Sequence, residues 1–205
     1  MITRKVASLI FLMALSITVA VAEETRYHEF DAAPISSLRL NMRVGTILVE
    51  HTNDDTISVE LRITKEGRRW FSRSVDTATM DLEASVRNSA LELSFDHKGI
   101  KTDWVVKIPA LSKIEINAGV ATIDVYMANA DIDVDIGVGA VTFELAKTLV
   151  GDITLAAGVG DTSVTGASSM TTQRALVSSD LKASGDGTRT VRANIGVGSA
   201  EVDLI

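Results

Sequence analysis

The sequence predicts an all-β protein and, more narrowly, a single-stranded, β-helix-like β-solenoid of stacked coils. Two observations support this prediction: a repeated pattern of alternating apolar residues, and an unusual apolar composition. Hydrophobic residues make up 46% of the 205-residue chain, whereas aromatic residues make up only 4%. Val, Ile, Ala and Gly suit thin, regular β layers better than they suit a core built around large aromatic rings.

The pattern is clearest in residues 132–143, IDVDIGVGAVTF. Apolar residues occupy even positions up to Val138 and then odd positions at Val141 and Phe143. Successive side chains of a strand point to opposite faces, so a shift by one residue indicates a bend. The shift falls on a valine between two glycines, which tolerate unusual backbone angles. We interpret this valine as pointing into the interior at the corner of the coil.

Five segments share this pattern, and we expect their valines to form one interior column. In each, apolar residues lie six, four and two positions before the valine and resume three and five positions after it. The exception is Thr162. The central residues are Val44, Val120, Val138, Val159 and Val197.

The spacing of the repeats indicates coils of about 19 residues. Val120 and Val138 are 18 residues apart, and Val159 and Val197 are 38 apart, which is two steps of 19. A degenerate coil is therefore expected around Ser178, although Thr172 and Arg174 depart from its pattern. Periods near 20 with one bent strand set per unit are typical of solenoids. An antiparallel sandwich or barrel of hairpins is the alternative, since its strands recur at similar spacing.

Longer alternating stretches between residues 50 and 110 predict paired strands beside the coils. A hairpin is expected around Arg87-Asn88-Ser89, between two alternating stretches. Such an N-terminal paired-strand region would cap the stack, because an open end exposes unpaired backbone.

The first 22 residues have the features of a signal peptide. Arg4 and Lys5 precede an apolar run over residues 6–19, and Ala20-Val21-Ala22 supplies the small-residue cleavage pattern. An uncleaved anchor is the alternative, although the run is short for a bilayer. Cleavage would leave one β-solenoid domain over residues 23–205, in the periplasm, outside the cell or at its surface. Its net charge would change from −7 to −9, which disfavours binding of nucleic acid.

Catalytic motifs are not apparent, so we expect a non-enzymatic protein with no cofactor. The three histidines lack metal-ligand spacing, and the chain has no cysteine for thiol chemistry or disulfides. The Gly-Val-Gly elements lack the lysine and the strand-to-helix switch of a phosphate loop.

Two groups of residues are candidate sites. Asp131, Asp133 and Asp135 share one face of a predicted strand, where stacked carboxylates could bind calcium; the alternative is a solvated polar face. The segment KEGRRWFSR at residues 65–73 is cationic and aromatic in an acidic chain. A solvated loop is its simpler interpretation; its interaction candidates are Arg68, Arg69, Trp70 and Phe71.

The last repeat ends at Ile205, and we expect its strand to form an open edge of the stack. Unpaired strand edges favour pairing with another chain. The predicted partners are therefore an envelope protein, a surface polymer, or a second copy bound through this C-terminal end.

Taken in order, these features are a signal peptide, paired strands, the V-V-K-I-P step at residues 105–109, and repeated x-G-V-G/A-x-x-x-V units. This arrangement resembles the bacterial putative-adhesin family of β-solenoid envelope proteins, much of which is a domain of unknown function. The resemblance covers about residues 38–205. It implies an exported, non-enzymatic protein with an adhesin-like or structural role. The alternative is a periplasmic accessory module that binds an ion or small ligand on the acidic face.

Overall fold

A computed structural model of the chain describes residues 23–65, 76–174 and 176–205. All regular secondary structure in these residues is β, in agreement with the predicted class. The predicted signal peptide lies outside the described residues. The twelve strands are β1 (Glu23–Asp31), β2 (Ser37–His51), β3 (Thr56–Lys65), β4 (Glu83–Arg87), β5 (Ala90–Phe95), β6 (Ile100–Ile108), β7 (Lys113–Tyr126), β8 (Asp131–Leu145), β9 (Val150–Thr165), β10 (Ser169–Arg174), β11 (Ser179–Ser184) and β12 (Arg189–Leu204).

The strands form one open sheet in the order β1-β3-β6-β2-β7-β8-β12-β9-β11-β10, with the β4–β5 hairpin attached to β2. Five long strands at its centre, β2, β7, β8, β12 and β9, pair in parallel, and we call them the rungs. Their register matches the predicted repeat: Ile116 lies opposite Leu40 on one side and Val134 on the other. Because the rungs pair in parallel, the alternative fold, an antiparallel sandwich or barrel built wholly of hairpins, is excluded.

Each rung bends at the predicted phase shift. In β7, Ile114 and Ile116 are buried before the bend, and Ile123 and Val125 are buried after it. The two arms of every rung therefore contribute to a single core, which is almost entirely aliphatic. Trp104 of β6 is a buried exception, and its Nε1–H donates to Thr102 Oγ1 at 2.8 Å.

The valines do form a column, but the prediction that they lie in the interior is wrong. The register places Val138 opposite Val120 and Val197, with Val44 and Val159 at the ends. Val120, Val138, Val159 and Val197 are each 47–48% exposed. A phase shift requires two successive residues on the same side of the sheet. In the structure these two residues are the valine and the residue before it, and both point outward. The sequence analysis instead placed the valine inside, with the two residues after it pointing outward.

The order of the rungs also differs from the prediction. β12 lies between β8 and β9, so the stack does not follow the chain. The residues around Ser178 do not form a degenerate coil, because β10 and β11 make an antiparallel hairpin on the edge of β9. Thr172 and Arg174 depart from the apolar pattern since they belong to β10, which ends the sheet and is exposed throughout. The buried Thr162 hydroxyl is satisfied by Ser179 Oγ of β11 at 2.7 Å.

The prediction that the C-terminal strand is an open edge is wrong as well. β12 pairs on both sides, and the backbone of Ile205 bonds to Leu145 and Lys147. Within the described residues, the sheet ends at β10 on that side. Association through the C-terminal strand therefore loses its structural basis.

The N-terminal paired strands are present as predicted. β1, β3 and β6 pair antiparallel beside the rungs, and β4–β5 form the expected hairpin. Its two turn residues, Asn88 and Ser89, have φ of 50° and 61°, as a type I′ turn requires. These strands cover the β2 end of the stack.

A matched pair of substitutions in β8 tests the inside–outside assignment. Val138→Asp places a carboxylate in solvent and should change the free energy of unfolding by at most about 1 kcal/mol. Val141→Asp buries the same charge at a position that is 1% exposed, and should cost about 3 kcal/mol or more. Urea denaturation of both variants measures the difference; equal losses would contradict the outward valine.

Candidate interaction surface

A groove runs across the rungs on the outer side of the bend. It has a volume of about 870 Å³ and crosses β2, β7, β8, β12 and β9. Its floor carries the residues that immediately precede the valines: Arg43, Gly119, Gly137, Gly196 and Gly158. One side is lined by Asn41, Asn117, Asp135, Asn194 and Ala156. We call this feature the glycine groove.

The glycines of the groove are required by the close approach of neighbouring rungs. A Cβ on Gly137 would lie 2.7 Å from the carbonyl oxygen of Gly119, and one on Gly196 would lie 2.5 Å from that of Gly137. On the other side of the valine, Gly139 has φ of +146°, and its Cβ would lie 1.7 Å from Ala121 O. Backbone packing therefore explains the glycines, but it does not explain the exposed valine between them.

Beside the groove the five valines form an apolar ridge, which we call the valine ridge; Val120, Val138, Val159 and Val197 are exposed, and Val44 at the β2 end is partly buried. Adjacent rungs are about 4.8 Å apart, so the ridge is about 19 Å long. Val177 continues it beyond β9, because its carbonyl accepts from Gly160 N–H at 2.9 Å and its side chain is 61% exposed. An outward position on a strand accepts threonine as readily as valine. Folding alone therefore does not require valine at these positions.

The groove and ridge lie in a strip that carries little charge. We define the corner surface as the positions from three before to two after each valine of the five rungs. Three of the twenty outward positions among them (three before, one before, at and two after each valine) are charged, whereas 23% of the whole chain is. Arg43 pairs with Asp96 at 3.3 Å and Asp161 with Arg174 at 3.0 Å. The third charged residue, Asp135, accepts a hydrogen bond from Asn194 Nδ2 at 3.0 Å.

A row that includes stacked amides forms the side of the groove. Asn117 Nδ2 donates to Asn41 Oδ1 at 3.1 Å, and Asn41 Nδ2 donates to Glu92 Oε1 at 3.0 Å. Asn194 shares the row, but Asp135 separates it from Asn117. The row fixes these side chains while leaving further donors and acceptors toward the groove.

Further from the bend, the outer face carries ion pairs between rungs. Arg39 Nη2 lies 2.5 Å from Glu115 Oε2, and Lys113 bonds the other Glu115 oxygen. Lys113 Nζ is also 3.7 Å from Asp133. The hydrogen bond from Lys113, followed by that from Arg39, lowers the pKa of Glu115 below its ordinary value of 4.5. These pairs stabilise the register of β2, β7 and β8.

The calcium candidates share the predicted outer face, but they bind different partners. Asp131 Oδ1 accepts from Thr190 N–H at 2.9 Å, Asp133 faces Lys113, and Asp135 bonds Asn194. Asp133 stacks between Glu115 and Arg192, since β12 follows β8 in the sheet. Among residues 23–65, 76–174 and 176–205, no three His, Cys, Asp or Glu side chains are placed to hold a metal ion. The other candidates, Arg68, Arg69, Trp70 and Phe71, lie outside the described residues.

Bent strands stacked in register, with repeated side chains displayed in columns, define a class of repeat-like all-β protein. The family described as the N-terminal domain of toast_rack, DUF2154, matches residues 18–165, and the chain belongs to this family. This agrees with the resemblance to an adhesin-type family of unknown function. In the described part of the chain, no helix is long and apolar enough to cross a membrane. No curated protein sequence matches the chain.

Solved structures with related architecture include a putative cell adhesion protein from Clostridium sporogenes. It is 13% identical, with a TM-score of 0.55 over 90% of this chain and 100% of that one. A putative adhesin from Bacteroides fragilis is 12% identical, with a TM-score of 0.38 over the same shares. At 13% identity, the similarity to the Clostridium sporogenes protein establishes the fold alone.

The ion pairs predict a pH-dependent stability. Glu115→Gln should lower the free energy of unfolding by about 0.5–1 kcal/mol at pH 7, because both partners lose a carboxylate at a partly exposed site. A lowered folded pKa gives stability that is present above the ordinary value and lost as pH falls through the folded pKa. The difference between the variant and the wild type in urea denaturation should therefore shrink as pH falls below 4.5 and vanish once pH is below the lowered folded pKa of Glu115. Glu201→Gln, at an exposed position opposite Thr142 and Ser163, is the control and should differ from wild type at neither pH.

Calcium titration tests the alternative based on the acidic face. Because the three carboxylates have separate partners, about 5 mM calcium should move the melting temperature of residues 23–205 by less than about 1 °C. A rise of several degrees that disappears in Asp133→Asn would instead support the ion-binding module. Magnesium at the same concentration controls for ionic strength.

Proposed function

We propose that the protein is an exported, non-enzymatic component of the bacterial cell envelope with an adhesin-like or structural role. In this proposal the rungs, with the paired strands at one end, constitute a β-solenoid. The corner surface is the observation that carries it: an exposed apolar ridge beside a groove, in a strip with little charge. Protein interfaces have the same character, since charged residues are depleted at their centres.

The arrangement of the outer face favours binding over catalysis. Its polar groups recur on neighbouring rungs, as Asn41 and Asn117 do, and its carboxylates are engaged with neighbouring cations or amides. Repetition of this kind presents many equal contacts to an extended partner, whereas catalysis requires different groups to converge on one reacting atom. The name of the Clostridium sporogenes protein points in the same direction.

Export is part of the same proposal and rests on the predicted signal peptide over residues 1–22. The periplasm and the cell surface both fit an acidic chain that has no cysteine. The cationic segment with Arg68, Arg69, Trp70 and Phe71 is a second predicted contact for an anionic envelope polymer or a partner protein.

Binding to cell-envelope material tests the proposed function. Purified residues 23–205 should co-sediment with washed envelope fragments from the host bacterium, and Val138→Asp should weaken this binding at least tenfold. The matched control is Val86→Asp, which adds the same charge at a position 55% exposed on β4, away from the corner surface. Binding that is unaffected by Val138→Asp, or equally weakened by both variants, would contradict a role for the corner surface. Failure of the wild type to sediment would contradict the envelope role.

A further inference from the structure

The valine ridge and the glycine groove lie side by side along the same rungs. In β7, β8, β12 and β9 the ridge residue directly follows the groove glycine, so both features have the same spacing of about 4.8 Å. A protruding row next to a matching recess is self-complementary under a two-fold rotation, because each copy then supplies both. The required axis runs along the stack, midway between ridge and groove.

We infer that a second copy of this chain docks on the corner surface, with the valine ridge of each copy in the glycine groove of the other along β7, β8, β12 and β9; at the β2 end the groove position is Arg43, which pairs with Asp96. This rests on the proposed function only in taking the corner surface as the site of interaction. The two stacks run parallel in the dimer, and each rung faces the same rung of its partner. Val138 then lies against Gly137 of the second copy, and Val120 against Gly119.

The side chains next to the ridge and groove are complementary in this arrangement. The two-fold axis places the residue three positions before the valine of one copy opposite the residue two positions after the valine of the other copy. Amides then face hydroxyls: Asn117 is opposite Thr122, and Asn194 is opposite Ser199. Both carboxylates face a methyl group, since Asp135 is opposite Ala140 and Asp161 is opposite Ala156. No like charges meet within the strip, although the chain as a whole has a net charge of −7.

The opposite orientation is less favourable. A two-fold axis perpendicular to the ridge would set valine against valine and leave the groove empty. It would also bring Asp135 of one copy against Asp135 of the other, because β8 is the middle rung. Like charges placed directly opposite one another are destabilising.

The size of the corner surface predicts a weak dimer. Five rungs and six positions along each strand span roughly 20 Å by 20 Å. This is about half of the ~800 Å² per partner of a standard stable interface. We therefore expect a dissociation constant on the order of 100 μM. Wild-type residues 23–205 should show concentration-dependent sedimentation velocity, Val138→Asp should weaken association at least tenfold, and Val86→Asp should leave it unchanged.

Single cysteines locate the interface, since the natural chain has none. Val120→Cys, Val138→Cys and Val197→Cys should each form a disulfide-linked dimer under mild oxidation, at least tenfold faster than the exposed control Val86→Cys. Mixing Val120→Cys with Val197→Cys should give little mixed dimer, because two rungs, about 9.6 Å, exceed the reach of a disulfide.

The outcomes separate this inference from the proposed function. Mixed dimers without Val120 homodimers would indicate the opposite orientation and overturn the ridge-in-groove geometry. A wild type that stays monomeric up to about 1 mM, with cysteine variants no faster than Val86→Cys, would overturn the dimer altogether. The proposed function would survive that result if envelope binding still depended on Val138; both would fail if it did not.

Discussion

The close approach of neighbouring backbones at the bend is the constraint on which the rest of the structure depends. At Gly198 an added Cβ would lie 1.6 Å from the carbonyl oxygen of Gly139, and the same contact recurs at Gly160 with Gly198. Such contacts admit no side chain, so glycine occupies this position in β2, β8, β9 and β12, whereas β7 has Ala121 there. A common bend position then fixes the register, since a slip by one residue would bring a Cβ-bearing residue to a carbonyl and turn the apolar set outward.

Much of the fold was predictable because burial leaves a periodic trace in the sequence. The sets that include Leu40, Ile116 and Val134 were aligned correctly, since their period of two and their distance from the glycines are both specified. The order of the rungs was not predictable, because β12 carries the same pattern as β8 and β9 and fits between them. Similar repeats specify that rungs stack but do not specify which rung is the neighbour.

The corner surface was missed because apolarity was taken to mean burial. One cue was available: the inward position six before the bend varies between Leu38, Ile114 and Val191, whereas the central residue is valine in all five units. A core position tolerates different aliphatic residues if its neighbours compensate. An unvarying residue that is not in the core is more typical of a surface with a defined shape. The ion pair of Glu115 with Arg39 joins residues 76 positions apart that occupy the same position in neighbouring repeats.

The free energy gained by covering the exposed valines determines how strongly the corner surface can associate. Covering the exposed half of a valine side chain contributes about 1 kcal/mol, so the four half-exposed valines of each copy could together contribute about 8 kcal/mol. Association of two proteins costs roughly 4–15 kcal/mol in lost freedom, which leaves a marginal balance. Such a contact is weak between free molecules in solution. It becomes effective where the chains are held close together at a surface, because a high local concentration replaces the affinity that the small interface lacks. A charged surface away from the corner surface and a weak association along it are therefore compatible in one acidic β-sheet protein.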